Sequence, residues 1–93
     1  MYKITDYTFE QAQNLDVIVT PSKRKNKKID IYDNRDRQYI TSVGDKRYGD
    51  YPTFMETRGK AFAEERRKRF HQRFQNKASV EGSDAYYALK LLW

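Results

Sequence analysis

Apolar and polar positions along the chain change period several times, and each change marks an element. Phe9, Ala12 and Leu15 recur at helical spacing behind Thr8, and Gln11 stands three residues after it, which predicts a short helix over about 8–15 opened by a capping box. The period then becomes two. DVIVT (16–20) is β-branched, KIDIYD (28–33) alternates Ile29 and Ile31 with Asp30 and Tyr32, and RQYITSV (37–43) is again strand-like. Asp33, Asn34 and Asp36 supply turn chemistry between the last two segments. Two or three antiparallel strands over about 16–43 follow, with Pro21 and KRKNKK (23–28) at the tip of the first hairpin. Five cations in six residues repel one another and gain nothing by burial, so that run is expected to be an exposed, mobile loop.

Beyond Gly44, the segment 44–52 carries two glycines and a proline and reads as an irregular connection. Thr53 and Glu56 suggest a second capping box after Pro52, opening a main helix over about 53–76 interrupted only by Gly59. Gly82 and Ser83 then form a break and an N-cap, with Asp84 in the first turn of a last helix over about 83–93. The expected fold is α+β: a small antiparallel sheet of two or three strands packed against one long and one or two short helices. Val17, Val19, Ile29, Ile31, Ile40, Phe62, Phe70, Leu89 and Trp93 are expected to furnish the core.

Length bounds this picture. With 93 residues and neither a repeat nor a linker, the chain is expected to be a single domain, 1–93, with a thin core. It has no Cys, which excludes a disulfide framework and a thiolate metal site and suits a reducing compartment. MYKITDYTFEQAQ lacks the basic and apolar regions of a signal peptide, and no apolar window approaches a membrane span, so a soluble, unexported protein is expected, with no membrane partner.

Charge is what makes the chain unusual. Of the formal net charge of +6, residues 23–28 contribute +5 and residues 58–77 contribute +6, while the remaining segments are slightly acidic. On a wheel centred on Phe62, Met55, Gly59, Ala63, Phe70 and Phe74 form an apolar stripe within about 120°, and Arg66 and Arg73 fall inside it. Lys60, Glu64, Arg67, Lys68 and His71 fall opposite. Arg66 and Arg73 should then need partners, either the carboxylates of Asp50 or Asp84 or the rings of Tyr48, Tyr51 or Tyr86, or else belong to a binding surface. Their loss should destabilise the protein, and that of Arg67 and Lys68 should not. Lys23, Arg24, Lys25, Lys27, Lys28, Arg67, Lys68 and Arg69 are the candidate contacts to nucleic acid or another anionic partner.

Catalytic chemistry has little to build on. His71 is the only histidine and is expected on the surface. Glu64 and Glu65 point about 100° apart on a helix, a poor acid–base pair that suits offsetting nearby arginines. Asp30, Asp33, Asp36 and Asp45 lack a calcium-loop pattern, and the glycines form no phosphate-binding fingerprint. A non-enzyme is expected, without metal, cofactor or small-molecule substrate. No helix-turn-helix, RNA-recognition or zinc-finger signature is present, so any nucleic-acid contact should be to phosphates and indifferent to sequence.

KKIDIYD (27–33), SVGDKRYGDYPTF (42–54), GKAFAEERRKRFHQRF (59–74) and GSDAYYALKLLW (82–93), with YTFEQAQNLDVIVTPSKRKNKK (7–28) upstream, resemble a family of small uncharacterised basic proteins encoded by large DNA viruses and some tailed phages. The most specific part combines Tyr48, Asp50, Tyr51, Pro52 and Thr53 with Gly59, Arg66, Arg67, Arg73, Leu92 and Trp93. Members of that family usually carry His after the arginine corresponding to Arg73, where this chain has Phe74, which counts against histidine chemistry. The resemblance implies a viral origin and no particular activity. In that setting the expected role is a virion-associated structural protein, bound to capsid or other virion proteins and located in the virion, and in the host cytoplasm during assembly. The alternatives are a soluble DNA-binding protein that compacts or regulates the viral genome and a host-directed inhibitor.

Overall fold

A computed structural model describes residues 2–93. The expected single domain resolves into two compact units, Met1–Tyr48 and Gly49–Trp93, which divide inside the glycine-bearing connection. The α+β class holds, with a three-stranded antiparallel sheet and four helices.

The first unit begins with α1, Asp6–Asn14. Its N-cap is Thr5, whose Oγ1 accepts from the Thr8 N–H at 3.4 Å, so the helix starts a turn earlier than the expected box at Thr8 and Gln11. Thr8 lies inside the helix and is buried. Asp16, in the left-handed region at φ 57°, then turns the chain into the sheet.

Strands β1 (Val17–Pro21), β2 (Lys27–Asp33) and β3 (Tyr39–Asp45) pair as consecutive antiparallel neighbours. Val19 opposes Ile31 and Ile29 opposes Val43, so these four buried side chains make the apolar face. Val17 and Ile40, also expected in the core, are half-buried. The opposite face carries Asp30, aligned with Thr20 on one side and Ser42 on the other. A bulge interrupts β2–β3 pairing, where Ile31 opposes Thr41 but Tyr32 opposes Tyr39. The extra residue turns Tyr39 onto the Asp30 and Ser42 face, which simple alternation would deny it. The expected turn aspartates do serve the β2–β3 connection: Asp33 Oδ1 accepts from the Arg35 N–H at 2.7 Å and Asp36 Oδ1 from that of Gln38 at 2.9 Å.

The second unit holds α2 (Tyr51–Thr57), α3 (Lys60–Ala78) and α4 (Asp84–Leu92). The expected main helix is thus two helices, because Gly59 sits at φ 88°, where an α-helix cannot continue. Asp50, not Thr53, is the first N-cap, its Oδ1 accepting from the Thr53 N–H at 3.0 Å. Pro52, which has no N–H to satisfy, fits that first turn. Gly49 is required by close approach, since a Cβ there would collide with the edge of the Phe54 ring. Ser83 caps α4 as expected, accepting from the Tyr86 N–H at 3.1 Å. Leu91, Leu92 and Trp93 are buried, while the expected core residues Phe62, Phe70 and Leu89 are half-buried.

Aromatic rings dominate the packing of this unit. Phe54 meets Phe62 at 5.1 Å and Trp93 at 6.1 Å between centroids, and Trp93 stacks on Phe70 at 4.4 Å with planes 10° apart. Phe70 in turn lies 4.6 Å from Phe74. Edge and offset contacts of this kind add a little to the area they bury.

Candidate nucleic-acid interface

A meander places the end of β1, the start of β2 and the end of β3 at one end of the sheet. Basic residues occupy all three. Lys23, Arg24, Lys25 and Lys27 are exposed around the first hairpin tip, whose Asn26 adopts φ 67°. Beside them run Lys46 and Arg47, both exposed, and the Lys46 N–H donates to the Asn26 carbonyl at 3.0 Å. Sequence reading passed over Lys46 and Arg47 as part of an irregular connection, yet antiparallel pairing of the three segments carries that connection back to the first hairpin.

KRKNKK is not wholly a loop, as Lys27 and Lys28 belong to β2. Lys28 is only 4% exposed, with Nζ 5.4 Å from the centroid of the Tyr2 ring, so it is removed from the solvent-facing set. Its strand position places it on the Asp30 face, and its long stem is covered there. Arg47 is held by Asp45, with Nη2–Oδ2 at 2.7 Å and Nε–Oδ1 at 3.1 Å, and this pairing brings the Asp45 carboxyl down to about 2. Two exposed rings border the cations. Tyr39 is 44% and Tyr48 69% exposed, with the Arg24 guanidinium 5.1 Å from the first centroid and that of Arg47 5.8 Å from the second.

Asp30 organises the tip from below. Its Oδ1 accepts from Ser22 Oγ at 2.6 Å and from Ser42 Oγ at 2.5 Å, and its Oδ2 from the Lys23 N–H at 3.5 Å. Because each serine gives its one proton to Asp30, Tyr39 Oη must donate to Ser42 Oγ across their 2.7 Å contact. Ser22 Oγ likewise accepts from the Arg24 N–H at 3.0 Å. Burial pushes the Asp30 carboxyl up, but the Ser22 and Ser42 hydroxyls, the Lys23 N–H and the Arg24 charge outweigh it and hold the group below its ordinary value. The serine partners of Asp30 lie eight and twelve residues away, beyond any local pattern in the sequence. A carboxyl depressed on folding adds stability above its unfolded pKa and loses it as pH falls through the folded one. Asp30→Asn should therefore flatten the fall in stability below about pH 4. An unaltered acid limb in chemical denaturation across pH would contradict this.

In the second unit Arg66, Arg67 and Arg73 depart from the expected division of the α3 cations, while Lys68 is exposed as expected. Arg66 and Arg73 are exposed, and their guanidinium groups lie 5.9 Å and 5.2 Å from the ring centroids of Phe54 and Phe74, not over the tyrosines considered. Asp50 caps α2 and Asp84 stands in the first turn of α4. Arg67 is the inward residue: half-buried, it donates from Nε to the Trp93 main-chain oxygen at 2.6 Å and stacks over Tyr51 at 4.8 Å. Phe62 misled the wheel, since it packs on Phe54 of α2 at the edge of the stripe. Centring instead on Ala63, Phe70 and Phe74 rotates the stripe by about 40° and takes in Arg67. Arg67→Ala should cost about 1–3 kcal/mol through its charged hydrogen bond. Arg66→Ala should stay within about 1 kcal/mol, as for an exposed cation on a ring. Denaturation midpoints ranked the other way would refute the assignment.

Lys68 and Arg69 remain exposed, with Arg69 Nε 3.0 Å from Glu65 Oε1. Glu64 accepts from Tyr51 Oη at 2.9 Å. His71, expected on the surface, is half-buried, and its Nε2 has no hydrogen-bond partner among the described residues. No group of three or more His, Cys, Asp or Glu side chains among the described residues is placed to hold a metal ion, and no described helix is long and apolar enough to cross a membrane. No protein family, curated protein or solved structure matches the chain.

Proposed function

We propose that this chain is a small basic viral structural protein, associated with the virion, that grips nucleic-acid phosphates through the basic end of its sheet. The observation that carries the phosphate reading is the convergence of Lys23, Arg24, Lys25 and Lys27 with Lys46 and Arg47 at that end. Within the two basic segments themselves, 23–27 and 45–48, the one acidic side chain is Asp45, which is engaged by Arg47, and Asp30 lies buried beneath them. Cations grouped this way displace the counterions condensed on a polyanion, which favours binding without any reading of base sequence. Lys68 and Arg69 on α3, with Arg66 and Arg73, provide a second exposed basic set in the other unit. Contact with capsid or other virion proteins, and residence in the virion and in the host cytoplasm during assembly, extend the proposal from the viral resemblance. It assigns the chain no catalytic step, cofactor, membrane or small-molecule substrate.

Titration of the protein against labelled DNA of unrelated sequences tests the phosphate reading. Affinity should be similar for all of them, and its logarithm should fall linearly with the logarithm of salt concentration by about 0.9 per phosphate contact. Affinity independent of salt, or tighter binding to an acidic polypeptide than to DNA, would overturn it. Mass spectrometry of purified, nuclease-treated virions tests the setting, with stoichiometric presence expected and absence removing the structural role.

A further inference from the structure

Phosphate neutralisation serves single and double strands alike, so the exposed rings beside the cations raise a separate question. We infer that the first unit selects single-stranded nucleic acid, stacking bases on Tyr39 and Tyr48 while the neighbouring arginines take the phosphates. The inference rests on the phosphate reading above and adds the form of nucleic acid bound.

Tyr39 is a prepared platform. Its hydroxyl is tied to Ser42, its edge meets Tyr32 at 5.8 Å with planes 70° apart, and it still leaves 44% of its surface to solvent. A ring already fixed loses little conformational freedom when a base settles on it. Arg24 stands over it, and the same residue is anchored through its N–H to Ser22, so cation and ring share one network built on Asp30. Tyr48 repeats the pairing at the other end of β3. Its N–H donates to the Asp45 carbonyl at 3.1 Å, and Asp45 also holds Arg47 beside the Tyr48 ring.

Tyr39 is the first residue of β3 and Tyr48 follows its last by three, so the two rings belong to one strand and the turn that leaves it. A duplex conceals the faces of its bases, whereas a single strand presents them. Every base has such a face, so stacking adds affinity without adding sequence preference.

Fluorescence anisotropy with three probes decides the matter: a thymidine oligonucleotide, an abasic strand of the same length and charge, and a duplex. The protein is expected to bind the thymidine strand more tightly than either of the others. Tyr48→Ala, which touches none of the Asp30 network, should lose about 5- to 150-fold on the thymidine strand, the worth of one stacked base, and nothing on the abasic strand. Tyr39→Ala should behave likewise, with circular dichroism checking that its fold is intact. Equal affinity of the parent for thymidine and abasic strands would overturn the inference and leave the phosphate reading standing. A base preference that survives loss of both rings would overturn it as well. Failure to bind any of the three probes would remove the phosphate reading itself.

Discussion

Replacing Lys23, Arg24, Lys25, Lys27, Lys46 and Arg47 together with Gln is expected to abolish most of the affinity for DNA and to flatten the salt dependence by up to about 5 log units per log unit of salt. All six side chains are exposed, which is why the loss should fall on binding and not on folding. Exposed charges of this kind contribute between about 0 and 1 kcal/mol each to stability. The main-chain contacts that shape the tip survive the substitutions, because the Lys23 and Arg24 N–H groups reach Asp30 and Ser22 whatever side chain follows. Three side-chain contacts would go: the Arg24 guanidinium over Tyr39, the Arg47 guanidinium beside Tyr48 and the Arg47 pairing with Asp45. Lys28 is buried, so its substitution would act on folding as well as on binding. An affinity and a salt slope equal to those of the parent would exclude this end of the sheet as the site of DNA contact.

Trp93→Ala is expected to destabilise the helical unit by about 3–5 kcal/mol, enough to consume much of the stability an ordinary domain possesses. Trp93 is 8% exposed and stacks on Phe70 in near-parallel fashion while touching Phe54 at its other side. Truncation would leave a void between α2 and α3 that neither ring can fill without leaving its present neighbour. The Arg67 bond to the main-chain oxygen does not depend on the indole, so the effect isolates packing. Trp93→Phe should restore most of the loss by keeping a ring against Phe70. Denaturant titration reads both variants, and a deficit under about 1 kcal/mol for Trp93→Ala would show that the stack contributes little.

The strands were legible because their signal is local: Ile29 and Ile31 alternate with polar residues, and only one register buries both. Ser83 and the buried C-terminal segment were legible for the same reason. The break at Gly59 was visible as a glycine, but its consequence for the wheel was not, since Phe62 belongs to the contact with α2 and Phe70 to the contact with Trp93. Thr53 and Asp50 are both competent caps, and the position of Pro52 is what favours Asp50. At the candidate site, the hairpin cations were plain in the composition. Lys46 and Arg47 needed the strand order as well, and the use of Ser22 and Ser42 by Asp30 needed the register of three strands at once. Arg67 was misplaced because a guanidinium directed at a main-chain oxygen 26 residues away leaves no periodic trace.

Many cations of the helical unit take a ring as their neighbour: Arg58 on Phe62, Arg66 on Phe54, Arg67 on Tyr51, and Arg73 and Lys77 on Phe74. A carboxylate partner disappears when it is protonated, but the face of a phenylalanine ring accepts no proton in water, and arginine and lysine keep theirs throughout acidic and neutral solution. These contacts therefore persist in acid, where Asp30 in the other unit surrenders its hydrogen-bonded charge. An acidified compartment would weaken the organisation beneath the hairpin tip while the cation–ring contacts of α3 carried on unchanged.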